Sequence, residues 1–393
     1  MKILVIAHYQ NDGSPTAIFV HDQILEYRKL GHELLVVVPI AIGKKDLSGQ
    51  RFSHSVTETA IDGVNHVFIR FISLSSLGNG WFNPNSCKLS VMQFLYEKIK
   101  KFNPDVIHAH TFGVDSELGY LLKKKLKKKL VVTTHGSDTT SLYLKGKERC
   151  LVEYANKCDL IVCVSSKLRE ILCKCGVTSQ ISTITNGFKS ENLCRCEDCD
   201  NLRIERLMNK EIVLNQTCNL VSSKQVDITI KAFKKIHETL CNSRLIVVGD
   251  GPLKEELKSL AVSLGVEKSI LFTGRLNNHD ALKQMANSDF FIMPSINEGL
   301  GIVYIEAMAS GCLTIGTKGE GVEDIIENGR NGYLIPAGDY DSIAEIVLNC
   351  VNNPENMGKI TTAGINSALK YTWNANAMEY TKLFCELLEM KEQ

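Results

Sequence analysis

Two glutamates and a glycine-rich loop lie in FFIMPSINEGLGIVYIEAMASG, residues 290–311. The pattern predicts an apolar strand, a loop with Glu298, and a helix with Glu306. Glycine lets a backbone approach a ligand closely. Free N–H groups at a helix start bind anions, and here they belong to Gly299, Leu300 and Gly301. Glu306 is predicted about two turns into the helix, where it reaches a ribose while a diphosphate lies at the helix end. The stretch predicts a site for a phosphorylated ligand with hydroxyl groups.

The composition is that of an ordinary globular protein that is long enough for two cores. The chain has 393 residues, which favours two domains. Its net charge of +1 gives no reason to expect nucleic-acid binding. Apolar runs have strand length, and Met1-Lys2 leads into the first strand without the layout of a signal peptide. We therefore expect a cytoplasmic protein.

Short apolar runs alternate with amphipathic stretches, which is typical of parallel α/β sheets. One series of strands is predicted at residues 2–8, 34–38, 105–108, 130–134, 160–164 and 181–184. A polar, cysteine-rich stretch at 190–210 interrupts the pattern and indicates a domain junction. A second series is predicted at 211–214, 245–248, 269–272, 290–293 and 313–315. We expect an α/β fold with domains at 1–190 and 191–370 that face each other across a cleft.

The segment EGLGxxxxEAMAxG resembles the E-x7-E signature of retaining GT-B glycosyltransferases, specifically of glycosyltransferase family 4. A glutamate pair alone is common, but further segments follow in the family's order over nearly the whole chain. They include PDVIHAH (104–110), THGSD (134–138), ITNGF (184–188), VVGDGP (247–252) and FTGRL (272–276). The resemblance implies two Rossmann-like domains of the GT-B type, with residues 371–393 returning to the first domain.

The resemblance implies that the second domain binds a nucleotide-sugar donor. Glu306 would bind the ribose hydroxyls, and Glu298 would contact the transferred sugar. Lys224 would contact the diphosphate, together with the backbone N–H groups of the glycine-rich loop. Backbone around Arg275 and Leu276 would flank the base.

For the first domain, the resemblance implies that His135 faces the anomeric carbon and that Gly13 lies in the loop nearest the diphosphate. It also implies retention of anomeric configuration and no metal cofactor. The expected donor is a UDP-sugar, with a GDP-sugar second. The expected acceptor is a glycan or a lipid-linked molecule in surface polysaccharide or glycolipid synthesis.

The sequence departs from the family pattern at one position that bears on the donor. Asn219 stands where the family usually has an arginine, so one positive charge beside the diphosphate is missing. Asparagine donates hydrogen bonds but carries no charge, and we expect weaker donor binding or a substitute cation. The alternatives are a catalytically weak or inactive nucleotide-sugar-binding relative, or a nucleotide-sugar epimerase on the same fold.

Three further features have a structural and a functional interpretation. His108 and His110 are interpreted as structural residues at a strand end. The thiols of Cys173, Cys175, Cys194, Cys196 and Cys199 are interpreted as free thiols rather than a zinc site, because their spacings form no regular paired set. The lysine-rich run Lys123–Lys129 is either a solvated helix face or a patch that docks on an anionic membrane surface. The second interpretation predicts peripheral attachment to the inner face of a membrane.

Overall fold

The computed structural model of the chain describes residues 1–8, 18–42, 56–73 and 82–390. It consists of two compact units. Unit 1 comprises Met1–Gly187 and Trp373–Gln393, and unit 2 comprises Phe188–Thr372. Each unit has its own sheet with helices between most of its successive strands, which confirms the α/β prediction.

In the described chain, the sheet of unit 1 has eight strands in the order β3-β4-β2-β1-β5-β6-β7-β8. They are β1 (Lys2–Ile6), β2 (Glu33–Ile42), β3 (Val56–Ile61), β4 (Val64–Ile72), β5 (Val106–His110), β6 (Lys129–Thr134), β7 (Leu160–Cys163) and β8 (Gln180–Thr183). The helices before the domain boundary are α1 (Ile18–Lys29), α2 (Phe82–Phe94), α3 (Tyr96–Phe102), α4 (Val114–Leu126), α5 (Ser137–Leu144), α6 (Glu148–Ala155) and α7 (Ser166–Lys174).

The sheet of unit 2 has six described strands, all parallel, in the order β11-β10-β9-β12-β13-β14. They are β9 (Val213–Thr217), β10 (Arg244–Val248), β11 (Ile270–Gly274), β12 (Phe290–Ile292), β13 (Leu313–Thr317) and β14 (Tyr333–Ile335). The helices are α8 (Glu197–Met208), α9 (Val226–Thr239), α10 (Lys254–Ser263), α11 (Asn278–Ala286), α12 (Ile302–Ala309), α13 (Tyr340–Asn352) and α14 (Pro354–Ala368).

The last helix, α15 (Trp373–Glu389), belongs to unit 1. Its Asn376 accepts a hydrogen bond from the Gln23 amide at 2.7 Å. Its Tyr380 hydroxyl lies 2.8 Å from the Thr133 hydroxyl of β6. Both contacts are buried, so the helix is part of the core of this unit rather than an appendage.

The hairpin β3–β4, the edge strand β14 and the helix α8 are among the features of the fold that were not predicted. An antiparallel hairpin, β3–β4, forms one edge of the first sheet, joined by Asp62 and Gly63, which both have positive φ. An Asp-Gly pair is a standard signal for such a turn. The strand Val56–Ile61 was nevertheless not recognised, because its mostly exposed residues lack a clear alternation of apolar and polar side chains. In addition, α8 lies inside the stretch 190–210, for which only a domain junction was predicted.

Across the described residues, no helix is long and apolar enough to cross a membrane. The apolar runs are instead buried in the two sheets, as the predicted strand lengths require. β1 shows this directly, because Ile3 to Ile6 are completely buried between β2 and β5.

We predict that Asp289→Ala destabilises unit 2 by about 3–5 kcal/mol, because it leaves arginine charge unpaired in the interior. The Asp289 carboxylate is completely buried, lies 2.8 Å from Arg206 Nη2, and accepts from the Val213 N–H at 2.7 Å. Urea denaturation followed by circular dichroism measures the loss. Asp341→Ala, which removes an exposed carboxylate paired with Lys235, is the control and should change stability little. Equal effects of the two substitutions would contradict the prediction.

Candidate active site

The order in which the chain adds strands to the sheet of unit 2 reverses between β9 and β12. From β9 the chain proceeds outward through β10 and β11, and then returns to β12 on the other side of β9. Ligands of open parallel sheets bind where the strand order reverses, because the loops on either side diverge there. The loops that follow β9 and β12 are therefore the expected walls of a ligand site.

These two loops bring together the residues that the sequence singled out. Lys224, after β9, forms an ion pair with Oε2 of Glu298, after β12. The Ile296 N–H donates to the Ser223 carbonyl at 2.8 Å, which joins the loops through their backbones. Gln216 of β9 donates to the Lys224 carbonyl at 2.9 Å. The lysine and the glutamate are thus held in place by both strands.

The glycine-rich loop is fixed by a third segment. Glu320 accepts a hydrogen bond from the Glu298 N–H at 2.7 Å. A side chain at Gly321 would lie 1.9 Å from the Gly299 carbonyl oxygen, so the residue after Glu320 must be glycine. Glu320 was not predicted as a site residue.

The N–H groups of this loop are available to an anion. Gly301 has φ of +82° and precedes the first residue of α12. Among the described residues, no acceptor binds the N–H groups of Gly299, Leu300 and Gly301. Such groups at a helix start attract a phosphate through hydrogen bonds and the helix dipole.

Glu306 lies closer to the helix start than predicted. It is the fifth residue of α12, a little more than one turn in rather than two. Its Oε1 accepts a hydrogen bond from Asn278 Nδ2 at 3.4 Å. Asn278 begins α11 and was not predicted as a site residue.

The other predicted donor residues lie on neighbouring loops. Arg275 is exposed and Leu276 half-buried, directly after β11. Asn219 is exposed, and the next residue, Leu220, donates its N–H to the Asp250 carbonyl at 3.0 Å. The Asp250 carboxylate pairs with Lys254 at 2.9 Å, which lowers its pKa. A cation is thus present beside the loop that lacks the usual arginine.

In unit 1 the order of strands reverses between β1 and β5. Here His8 Nδ1 lies 2.6 Å from Oδ2 of Asp115. Burial raises the pKa of Asp115, and the carboxylate in turn raises the pKa of His8. Gly13, which was predicted to lie in the loop after β1, is outside the described residues.

His135 lies at the end of β6, beside β5. Its Nε2 is 3.0 Å from Nδ1 of His110, and the two rings are stacked. The Phe19 ring covers it, with centroids 4.5 Å apart. His135 Nδ1 and His110 Nε2 are buried and have no hydrogen-bond partner in the described chain. Burial lowers the pKa of His135 to about 3 and that of His110 well below its usual range, so both rings are neutral.

His108 and Asp138 support this histidine pair from either side. His108 is buried, with its Nε2 2.8 Å from the Thr133 hydroxyl, which agrees with its structural interpretation. Asp138 accepts from the Thr134 hydroxyl at 2.9 Å and from the Phe112 N–H at 2.9 Å, and so joins the loops after β5 and β6. The contact between His110 and His135 was missed because nothing in the sequence indicates which strands are adjacent.

Comparison with known families assigns both halves of the chain. Glycosyltransferase Family 4 matches residues 16–192, and Glycosyl transferases group 1 matches residues 200–367. The chain is 30% identical over 279 residues to N-acetyl-alpha-D-glucosaminyl L-malate synthase of Bacillus anthracis, covering 69% of this chain and 72% of the relative.

The chain belongs to glycosyltransferase family 4. It is an enzyme of the glycosyltransferase class.

Two further proteins are similar to this glycosyltransferase. It is 25% identical to the GDP-mannose-dependent alpha-(1-6)-phosphatidylinositol monomannoside mannosyltransferase of Mycolicibacterium smegmatis, over 70% of this chain and 75% of the relative. It shares its fold with Anabaena Alr3699/HepE in complex with UDP and glucose. The TM-score is 0.74, with 21% identity over 98% of this chain and 100% of that one. The GT-B fold class predicted from the sequence is confirmed.

Two expectations concern metal ions. Within the part of the glycosyltransferase that the structure describes, no three His, Cys, Asp or Glu side chains are arranged to hold a metal ion. None of the described cysteines forms a disulfide, and their interpretation as free thiols rather than a zinc site stays a prediction. Whether the reaction requires a metal remains an expectation carried by the family resemblance.

We predict that His108→Gln flattens the dependence of stability on pH. Burial and the neighbouring His135 lower the pKa of His108 to about 3, whereas an unfolded histidine titrates near 6.5. The unfolded chain therefore binds the extra proton, and folding stability is lost as pH falls from about 6.5 towards 3. Between pH 5.5 and 4.5, the wild type should lose about 1.4 kcal/mol per pH unit more than the variant. Parallel urea-denaturation profiles over this range would contradict the prediction.

Proposed function

We propose that this glycosyltransferase transfers a sugar with retention of configuration from a UDP-sugar to a glycan or lipid-linked acceptor. The product belongs to surface polysaccharide or glycolipid synthesis. The observation that carries the donor half is the convergence of a cation, two carboxylates and unpaired N–H groups at one switch point of unit 2. Each of these groups complements one part of a nucleotide-sugar.

The diphosphate is the best-defined part of the donor. The N–H groups of Gly299 to Gly301 bind its oxygens, and Lys224 neutralises charge that develops as it leaves. Lys224 already pairs with Glu298, so the diphosphate shares or replaces that partner when it binds. Glu306 is the ribose ligand, and Asn278 orients its carboxylate.

The choice of UDP over GDP rests on similarity. Alr3699/HepE has UDP bound on the same fold, whereas the mycobacterial relative uses GDP-mannose. That relative also acts on a phosphatidylinositol monomannoside, which supports a lipid-linked acceptor. GDP-sugars therefore remain the second donor class.

The family resemblance favours one retaining mechanism over another. A covalent intermediate would need a free carboxylate as nucleophile, whereas the pairing with Lys224 holds Glu298 among the groups proposed to bind the diphosphate. We propose instead a front-face substitution, in which the departing diphosphate deprotonates the acceptor. Catalysis then consists of positioning and of stabilising charge on the leaving group. His135, being neutral, acts as a hydrogen-bonding residue rather than as a cation.

An inactive nucleotide-sugar-binding relative is the second candidate function. Asn219 favours it, because a missing arginine weakens the hold on the diphosphate. The intact Lys224–Glu298 pair and the Lys254 cation near the Asn219 loop argue for activity. An epimerase would convert its donor without an acceptor, and a donor incubated alone distinguishes it.

We predict that UDP raises the thermal unfolding midpoint and that Glu306→Ala abolishes the rise. Binding to the folded state alone stabilises by about 2.7 kcal/mol at a hundredfold excess over the dissociation constant. The measurement is a thermal-shift panel with UDP, GDP and ADP. Glu345→Ala on the exposed face of α13 removes the same charge elsewhere in unit 2 and should retain the rise. No shift with any of the three nucleotides would refute the proposed donor site.

We predict that His135→Ala separates transfer from donor binding. The UDP-induced shift should persist, because the donor residues belong to unit 2, while the transfer rate falls about a hundredfold or more. Release of UDP with a sugar acceptor measures the rate, and proton NMR of the product reads its anomeric configuration. A variant that transfers at the wild-type rate, or an inverted product, would contradict the mechanism.

Part of the lysine-rich run is suited to an anionic membrane surface. Lys123 and Lys129 are engaged by Asp159, at 2.9 and 4.0 Å, and have a structural explanation. Lys124, Lys125 and Lys127 are exposed and pair with no acidic side chain in the described chain. We therefore propose that these three lysines carry peripheral attachment to the cytoplasmic face of a membrane.

We predict that replacing Lys124, Lys125 and Lys127 with alanine releases the protein from phosphatidylglycerol vesicles. Each lysine near an anionic surface contributes about 1 kcal/mol, and salt screens the attraction. Cosedimentation at two salt concentrations measures binding. The triple replacement of Lys231, Lys258 and Lys359, each paired with a carboxylate within its own helix, is the charge-matched control. If both triple variants bind vesicles equally, the lysine-rich run is a solvated helix face.

A further inference from the structure

Three cysteines stand at the start of unit 2, around the first turn of α8. Cys194 is half-buried and Cys196 exposed, whereas Cys199 is buried. Cys196 is the residue that caps the N-terminus of α8, and Cys199 is the third residue of that helix. The proposed function assigns no role to these thiols.

The sulfur atoms of Cys196 and Cys199 are in direct contact, 3.3 Å apart. Residues three apart at a helix start lie on the same face, so the backbone already holds the two sulfurs within reach of each other. The positive end of a helix dipole favours a thiolate at the cap position. Burial raises the pKa of Cys199, so the exposed Cys196 is the nucleophile and Cys199 the resolving thiol.

A chain of contacts leads from this pair to the donor site. The Cys199 thiol donates to the Cys194 carbonyl at 3.8 Å. The Cys194 sulfur in turn lies 3.6 Å from Nδ1 of His279, the second residue of α11. The first residue of α11 is Asn278, which donates to Glu306. The thiol pair is therefore connected to the ribose carboxylate through the start of one helix.

A structural zinc site is the other chemistry that this residue set suggests. It would require at least three of the side chains to surround one point. Within the described chain no such group exists, although Cys194 contacts His279 and Cys196 contacts Cys199. The two contacts form separate pairs, which favours a dithiol.

We propose that Cys196 and Cys199 form a reversible disulfide that weakens donor binding at Glu306. The effect on donor binding rests on the proposed function. The oxidant is a small-molecule disulfide. The Cys196 thiolate attacks one sulfur of the oxidant and releases the first thiolate, which takes up the proton that Cys196 lost. The Cys199 thiolate then attacks the Cys196 sulfur, and the second half of the oxidant leaves as a thiol with the Cys199 proton. One oxidant disulfide is reduced to two thiols for each protein disulfide formed.

Oxidation changes the contact to Cys194 in a defined way. In the disulfide, Cys199 has no S–H group left to donate, so the Cys194 carbonyl loses this hydrogen bond. Cys194 is then less restrained against His279, and the start of α11 holds Asn278 less firmly. The expected effect is about fivefold weaker UDP binding, the lower end of typical couplings between sites.

The test combines a mass measurement with a binding measurement. The full-length protein is incubated with oxidised glutathione or with dithiothreitol, alkylated with N-ethylmaleimide, and digested with trypsin. Cleavage after Arg195 and Arg203 releases one peptide, CEDCDNLR, which contains both thiols. Titration with UDP is carried out on the same two samples. Cys196→Ser is the variant, and Cys241→Ser, an exposed thiol elsewhere in unit 2, is the control.

We expect the oxidised peptide to carry no alkyl group and to be lighter by two hydrogen atoms than the same peptide with two free, unalkylated thiols. We also expect UDP affinity to fall on oxidation in the wild type and in Cys241→Ser, but not in Cys196→Ser. A fully alkylated peptide, or zinc retained stoichiometrically by the reduced protein, overturns the disulfide. A disulfide with unchanged UDP affinity overturns the coupling. If the reduced protein binds no UDP, the proposed donor and the coupling both fail, while the peptide mass still decides the disulfide.

Discussion

Strand β9 lies in the middle of the sheet of unit 2, and the chain leaves it in one direction and returns on its other side. This order places the loop after β9 next to the loop after β12. Lys224 and Glu298 are far apart in sequence, yet they meet because these two strands are neighbours. The backbone of Gly299 to Gly301, which is proposed to bind an anion, follows directly after Glu298. The proposed donor site thus depends on the reversal of strand order at β9, which brings its side chains together.

The charge state of the three histidines at the ends of β5 and β6 is determined by burial and not by pairing with a carboxylate. Desolvation keeps the rings of His108, His110 and His135 uncharged, because no carboxylate of the described residues raises their pKa. A neutral imidazole can donate from one nitrogen and accept at the other. In the pair His110–His135, the donor nitrogen of one ring therefore decides the tautomer of the other. The contact therefore couples the position of the proton on His110 to that on His135.

The strand, loop and helix of the proposed donor motif could be predicted from the sequence, because they are consecutive in the chain. Glu298, the glycines and Glu306 lie within one strand–loop–helix segment, whose spacing alone indicates an anion site. Contacts between distant segments could not be predicted. They are the hydrogen bond from the Glu298 N–H to Glu320, the one from Asn278 to Glu306, and the contact between His110 and His135. Glu306 was placed about one turn too far along α12, which begins at Ile302. The edge strand β3 was missed because its outward residues are polar, and α8 because its helical periodicity is weak.

Titration calorimetry with UDP and uridine tests the central claim most directly, namely that the backbone N–H groups at the start of α12 and Lys224 form a diphosphate site. If they do, UDP should bind at least about tenfold more tightly than uridine. Lys224→Gln should weaken UDP while leaving uridine unchanged. Equal affinities for UDP and uridine in the wild type would contradict the account, because the diphosphate would then contribute nothing to binding.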